Sequence, residues 1–248
     1  MSQTASAPAL FISDLHLSGE RPDILQRFRR FMSGQAPASR ALYILGDLFE
    51  YWVGDDALGG EDDPVASEVV AALRAYTTTG RPLHVLHGNR DFLLSGGFLQ
   101  ATGAEFLPDA TVVELAGQPT LLLHGDALCT DDLEYQRFKA QVRSSAWQNE
   151  FLGRALPERH AIMSGYRARS EQTKRGAPEE IMDVNPGAVS AAFERRGVRQ
   201  MIHGHTHRHA HHTLVVGGKQ CERWVLPDWY ERGGYLSIGD RGPRLVMF

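Results

Sequence analysis

Five apolar stretches of this chain each run into a short cluster of Asp, Asn or His. They are Leu10-Phe11-Ile12-Ser13-Asp14-Leu15-His16-Leu17, Tyr43-Ile44-Leu45-Gly46-Asp47, Leu83-His84-Val85-Leu86-His87-Gly88-Asn89-Arg90-Asp91, Leu121-Leu122-Leu123-His124-Gly125-Asp126 and Met201-Ile202-His203-Gly204-His205-Thr206-His207. Short apolar runs alternating with helical patterns read as strands of a layered α/β core. Asp, Asn and His converging from several strand ends make a metal site. Asp14 and His16 can turn towards one ion, and Asp47 has two oxygens with which to bridge two cations. Gly46 beside it lets the backbone approach closely. Asn89 adds a neutral amide oxygen, and His124, His205 and His207 add imidazoles.

Between these stretches the helices are legible. Asp23 caps a helix through about Met32, with Ile24, Leu25, Phe28 and Phe31 on its apolar face. The segment Phe49 to Asp56 is an aromatic and acidic loop, Pro64 to about Thr78 is an amphipathic helix, and Phe92 to Thr102 holds a short helix with a Gly-rich turn. Strands are expected at Thr111 to Leu115 and Thr120 to His124. From Asp131 to about Glu180 strand signals vanish. A long helix is expected from Asp131 or Asp132 towards Ala155, broken by Leu156-Pro157. A second covers Glu158 to Arg169, and Gly176-Ala177-Pro178 marks the exit. The segment at about 131–180 thus reads as a helical cap inserted into a single domain spanning 1–248. Beyond it, Asn185 to Arg196 is helical and Val198 to Ile202 feeds the last His cluster. Strands at His212 to Val216, Cys221 to Leu226, Tyr235 to Ile238 and Arg244 to Phe248 close the sheet.

Charge separates the cap from the rest. Residues 137–175 carry nine Lys or Arg against three acids, a net of +6, so the remainder of this chain of net charge −4 carries −10. The whole is no polycation, and no nucleic-acid motif is present. No apolar run approaches the roughly 18 residues that span a bilayer. Residues 1–9 lack the basic and apolar regions of a signal peptide and read as a short disordered lead-in. Cys129 and Cys221 fit neither a zinc motif nor a disulfide framework. They read as buried small hydrophobes of a chain in the reducing cytoplasm. His84, inside an apolar strand, reads as a packed core residue. His87 has equal claims as a site residue and as a structural one. His203, His209, His211 and His212 are assigned to strand positions and to places behind the ligands, and His160 to solvent.

The order Asp-x-His, Gly-Asp, Gly-Asn, His, Gly-His-Thr-His resembles the calcineurin-like metallophosphoesterase superfamily. The resemblance implies a four-layer α/β/β/α sandwich with a two-metal centre. One metal would take Asp14, His16, Asp47 and His207; the other would take Asp47, Asn89, His124 and His205, with Asp47 bridging. The departure is Arg90, where many members have His after Asn. Arg cannot act as an acid near neutral pH, but it can fork two phosphate oxygens. Arg90 is therefore read as a clamp with Asp91 holding it, which suits a pyrophosphate with a good leaving group.

The fuller motifs resemble a narrower family. Gly46-Asp47-Leu48-Phe49-Glu50-Tyr51-Trp52-Val53-Gly54-Asp55-Asp56, His124-Gly125-Asp126-Ala127-Leu128-Cys129-Thr130-Asp131-Asp132, Ile181-Met182-Asp183-Val184-Asn185 and Val225-Leu226-Pro227-Asp228-Trp229-Tyr230 look like the UDP-2,3-diacylglucosamine hydrolase family. That resemblance runs from about residue 10 to the C-terminus. It implies two Mn²⁺ per chain and metal-activated water attacking the α-phosphorus of UDP-2,3-diacylglucosamine. The products would be lipid X and UMP, in lipid A biosynthesis. It further implies a monomer bound peripherally at the cytoplasmic face of the inner membrane. Substrate contacts would fall on Asn89, Arg90, Asp132, Tyr135, Ser170, Lys174 and His205. Two positions depart from the family: Ala177 stands where a further Lys is usual, and Arg208-His209-Ala210 stands for Arg-Pro-Ala. Phe138, Val142, Trp147, Phe151, Leu152, Ile162, Met163 and Tyr166 are candidates for an acyl groove or for the cap's own core. Competing readings are a di-metal phosphodiesterase of a soluble nucleotide and a non-catalytic scaffold, which should have lost ligands.

Overall fold

Alternation along the first strand decides the layers. In β1 (Ala9–Ile12), Ala9 and Phe11 enter one buried cluster while Leu10 and Ile12 enter another. Both faces are covered, which is why the run is continuously apolar. The computed structural model describes residues 6–60, 63–176 and 183–248, the side chains of 171–176 excepted. β2 (Ala41–Leu45), β3 (Leu83–Leu86) and β4 (Glu105–Phe106) extend β1 in parallel. The second sheet contains β5 (Thr111–Leu115), β6 (Gln118–Leu122), β7 (Gln200–His203), β8 (Ala210–Val216) and β9 (Lys219–Val225), in the order β5-β6-β7-β9-β8. β10 (Gly234–Gly239) and β11 (Gly242–Met247) return to the first sheet, antiparallel at the free edge of β1.

Phe11, Leu45 and Leu86 of the first sheet meet Leu115, Leu122 and Ile202 of the second in the central core. The outer face of the first sheet is covered by α1 (Pro22–Gly34), α2 (Pro64–Thr77) and α3 (Gly96–Thr102), through Phe28, Phe31, Val69, Leu73 and Phe98. Three more helices follow: α4 (Leu133–Val142), α5 (Ser145–Leu152) and α6 (Leu156–Gly176). α7 (Pro186–Arg196) covers the second sheet with Val189, Ala192 and Phe193. The result is the expected α/β/β/α sandwich.

The local departures have local causes. α1 begins at Pro22, whose fixed φ suits a first helical position. Asp23 therefore sits inside the first turn and pairs with Arg21 and Arg27 instead of capping. The single helix expected towards Ala155 is two, because the Ser144 hydroxyl accepts from the Trp147 amide and starts α5. Leu156 opens α6, with Pro157 in its first turn, where the missing N–H costs nothing. Ser6 is not disordered: its hydroxyl donates to Asp240 at 2.5 Å. His160 is half-buried, its ring edge-on to Tyr51. His84 is also half-buried, stacked on Tyr43 and 3.4 Å from Glu105. Both cysteines are free and buried. The expected exit at Ala177-Pro178 lies outside the described residues.

Phe31 is fully buried against Trp229, Tyr235 and Phe248, joining α1 to the chain's last strands. Phe31→Ala is expected to cost about 3–5 kcal/mol of stability. Urea denaturation checks this; an unmoved midpoint would show that the C-terminal strands do not depend on it.

Candidate metal centre and adjoining groove

The strand ends meet in unusual backbone. Asp14, His16, Asp47, His205 and His207 all have positive φ, between 51° and 71°. Asp, Asn and His tolerate this region better than most residues, yet such positions store strain and cluster at functional sites. Hydrogen bonds between the loops hold them. The Asp14 amide donates to the Gly46 carbonyl, and the Leu15 and His16 amides both donate to the Asp47 carbonyl. Two glycines allow the close approach: a Cβ on Gly88 would fall on the Asp47 carboxylate, and one on Gly204 would fall on Asp14 and Ser13.

Within this frame the candidate ligand atoms converge. His16 Nε2 and His124 Nε2 each lie 3.8 Å from Asp47 Oδ2. His207 Nε2 is 3.4 Å from Asp14 Oδ1 and 3.4 Å from His16 Nε2. Asn89 Oδ1 is 2.9 Å from His124 Nε2 and 2.8 Å from His205 Nδ1. Ligands on metal bonds of about 2.1 Å sit about 3.4 Å apart in a tetrahedral site, so the 3.4–3.8 Å spacings among Asp14, His16, Asp47, His124 and His207 suit a bound cation, while Asn89 lies at hydrogen-bond distance from its two imidazoles. Asp14, His16 and His207 form one compact group, and Asp14, Asp47 and His124 another.

Each carboxylate has one oxygen engaged by the protein. Asp14 Oδ2 accepts from Ser13 and the His205 amide, while Asp14 Oδ1 is buried and makes no hydrogen bond. Asp47 Oδ1 accepts from the Arg90 amide, which leaves Oδ2 to the histidines. The His124 Nδ1–H donates to the Leu45 carbonyl at 2.8 Å, so its Nε2 faces the cluster. A buried oxygen with no donor, among imidazoles, fits a divalent cation.

The charges are strongly perturbed. Burial raises the Asp47 carboxyl to about 7, with Asp91 and Asp14 adding to it against His124. Burial opposes protonation of His124, but Asp47, Asp14 and Asp126 outweigh it and raise the imidazole to about 9. Asp14 goes the other way: burial would raise it, and His207, His124 and His16 hold it far below the usual carboxylate range.

Several expectations need revision. Asp91 does not hold Arg90. It is fully buried, and its carboxylate accepts from the amides of Asp47, Leu48 and Gly88 at 2.8–3.2 Å. The Gly-Asn turn brings those amides inward, so the anion braces the ligand loops instead. Arg90 lies 3.8 Å from Glu50, a buried carboxylate missed by the sequence reading. Glu50 also stands 3.5 Å from His16 Nδ1 and 3.1 Å from Arg167 of α6. Only its place among aromatic residues after Gly-Asp signalled burial. Asp126, 1% exposed, was missed as well; it accepts from Tyr135 Oη at 2.5 Å and pairs with Lys139 at 2.9 Å.

A groove of about 610 Å³ adjoins the centre. Asn89, Arg90, Asp132, Tyr135, Ser170 and His205 all line it. The Asp132 carboxylate also caps α4 by accepting from the Tyr135 amide. Burial and the Asp126 charge raise the Tyr135 hydroxyl well above its ordinary pKa, so it stays a donor. The Lys174 and Arg175 side chains and Ala177 lie outside what the structure describes. Of the apolar candidates, Phe138, Met163 and Tyr166 line the groove, while Val142 and Phe151 are packed in the core and Leu152 is exposed. His203, His209 and His212 line a separate cavity or its back wall, and His211 stacks on Trp224; none of these four joins the ligand cluster.

Near neutral pH the raised Asp47 and His124 hold protons that a cation must displace. Binding of Mn²⁺ should release protons and weaken as pH falls from about 9 through about 7. Calorimetry in two buffers of different ionisation enthalpy checks this; equal heats in both would contradict it.

The calcineurin-like phosphoesterase family model matches residues 7–209. The UDP-2,3-diacylglucosamine hydrolase of Stenotrophomonas maltophilia is 49% identical over 240 residues, covering 94% of this chain and 95% of that protein. That of Aromatoleum aromaticum is 47% identical over 239 residues, covering 96% of each. That of Xanthomonas campestris pv. campestris is 49% identical over 240 residues, covering 94% of this chain and 96% of that protein. With a phosphoesterase family model across most of the chain and full-length relatives near half identity, the chain belongs to the UDP-2,3-diacylglucosamine hydrolase family of calcineurin-like phosphoesterases.

Proposed function

We propose that this protein hydrolyses the diphosphate of UDP-2,3-diacylglucosamine to lipid X and UMP, with water attacking the α-phosphorus, as a step of lipid A biosynthesis. The observation that carries the reading is the groove itself: one cavity joins the candidate metal ligands Asn89, His205 and His207 to the apolar side chains Phe138, Met163 and Tyr166. A soluble nucleotide has no need of that apolar end.

Two Mn²⁺ would be held by Asp14, His16, Asp47 and His207, and by Asp47, Asn89, His124 and His205; bound there, they lower the pKa of water and neutralise phosphoryl charge. The chain's own groups do the rest. Arg90 can fork two phosphate oxygens, and its guanidinium lies 3.8 Å from Glu50. Tyr135, whose hydroxyl is held by Asp126, and Asp132 and Ser170 all line the groove and would meet the polar sugar head. Lys174 is retained as a candidate contact from sequence. The apolar wall excludes water from the acyl chains.

The helices α4 to α6 are read as a cap inserted at about 131–180 in a single domain of 1–248. Val142, Phe151 and Met163 pack into the same cluster as the first sheet's outer helices, which supports one folding unit. No helix among the described residues is long and apolar enough to cross a membrane. Leu133, 62% exposed beside groove residues Glu134 and Arg137, supports peripheral contact with the cytoplasmic face of the inner membrane. The protein is taken to act as a monomer.

Turnover in ¹⁸O water with Mn²⁺ and detergent should place the label in UMP; label in lipid X would move the attack to the other phosphorus, and no turnover would sink the reading. Arg90→Ala should lower kcat/KM by about 10²–10³, with Arg90→Lys recovering only part because an ammonium cannot fork. Unchanged kinetics in Arg90→Ala would remove the clamp.

A further inference from the structure

A second cavity, of about 380 Å³, shares Thr206, His207 and Arg208 with the groove. The loop carrying candidate ligands His205 and His207 is therefore a partition with a cavity on each flank. The second cavity's other walls are Asp183, just before α7, and His212 and Arg223, which face each other across β8 and β9.

Its polar groups are arranged, not scattered. Asp183 Oδ2 accepts from Arg208 Nη1 at 3.0 Å. Arg223 Nη1 donates to His203 Nε2 at 2.9 Å. The His203 Nδ1–H donates to the Gly204 carbonyl at 2.8 Å, which leaves Nε2 to accept from Arg223. Arg223 is thus anchored from behind, and its remaining N–H groups are available to the cavity it lines. Asp183 Oδ1 accepts from the Val184 amide at 2.7 Å, and its carboxylate lines the same cavity as the Arg208 and Arg223 guanidinium groups.

We propose that this cavity binds the uracil of the UMP half of the substrate, with Asp183 accepting the ring N–H and Arg208 and Arg223 donating to the two carbonyl oxygens. The inference rests on the function proposed above. That substrate has two unlike arms diverging from a diphosphate that must lie at the metal centre. The groove with Phe138, Met163 and Tyr166 takes the acyl arm, and the partition sends the nucleotide to the other flank. The volume lies in the range of small-ligand sites. Uracil presents acceptor, donor, acceptor along its edge; a cavity lined by one carboxylate and two guanidinium groups offers the matching partners. Cytosine presents a lone pair where uracil has its N–H, so Asp183 would face an unpaired acceptor.

Calorimetric titration of the Mn²⁺-loaded protein with UMP and with CMP tests this. UMP should bind at least about tenfold tighter than CMP, and Asp183→Asn, whose amide both donates and accepts, should bring the two within about threefold. A brace with no ligand role would weaken both nucleotides equally. Equal binding of UMP and CMP to the unaltered protein, or an unchanged ratio in Asp183→Asn, overturns the assignment. Should Asp183→Asn not fold, photo-crosslinking of the unaltered protein with iodouridine monophosphate decides. Cross-links to the peptide holding His209 and His212, or to that holding Arg223, support the site; cross-links confined to α4 and α6 overturn it. Hydrolysis of UDP-2,3-diacylglucosamine is measured alongside. Turnover without base discrimination removes only the uracil site, whereas no turnover removes the parent function and the site with it.

Discussion

The Asp91 carboxylate, buried without exposure, accepts from four amides of the loops at the ends of β2 and β3. Those loops carry Asp47 and Asn89, and Asp47 Oδ2 stands 3.8 Å from both His16 and His124. A left-handed residue costs about 1–2 kcal/mol, and five candidate ligands adopt that conformation. The strain persists because amides that would otherwise be stranded find a charged acceptor, the stronger kind of hydrogen bond. Removing that anion would free the amides and let Asp47 relax away from His16 and His124 together.

The strands and the convergence of the candidate ligand side chains were legible because both arise from local pattern. A continuous apolar run such as Leu42 to Leu45 has few other fates than a doubly covered strand, and the loops leaving neighbouring parallel strands emerge at one edge of the sheet. Helix ends were less so. Ser144 and Pro22 shift boundaries by side-chain choices that periodicity does not register. The least legible residues were acids. Asp91, Asp126 and Glu50 look like surface carboxylates in sequence, and only the three-dimensional supply of amides, Tyr135, Lys139 and Arg167 makes them interior. The assignment of Asp91 to Arg90 failed for this reason: neighbours in sequence point apart at a turn.

The basic surplus of the cap also reads differently in three dimensions. Arg143 donates to the Gly88 carbonyl, Arg159 to the Val53 carbonyl and Asp56, Arg167 pairs with Glu50, and Lys139 pairs with Asp126. These cations face the core and fasten the cap to it. Glu50 ties α6 to the candidate ligand His16, and Asp126 ties α4 to the loop after His124, so cap position and the candidate ligand loops share the same buried charges. A sheath of positive charge for an anionic surface is a smaller part of the design than the count suggested.

The left-handed ligands carry a lesson for mutagenesis. Alanine scanning assumes that truncation deletes a function and leaves the backbone alone. At Asp14, His16, Asp47, His205 and His207 it does not, since alanine tolerates that region less well than Asp, Asn or His. An alanine variant there adds a conformational penalty to the lost side chain, and inactivity would overstate the chemistry. Asparagine keeps the permissive backbone while changing charge and ligand strength, and glycine removes the side chain with the least backbone strain. Comparing the two at one position separates what the atom does from what its backbone conformation costs.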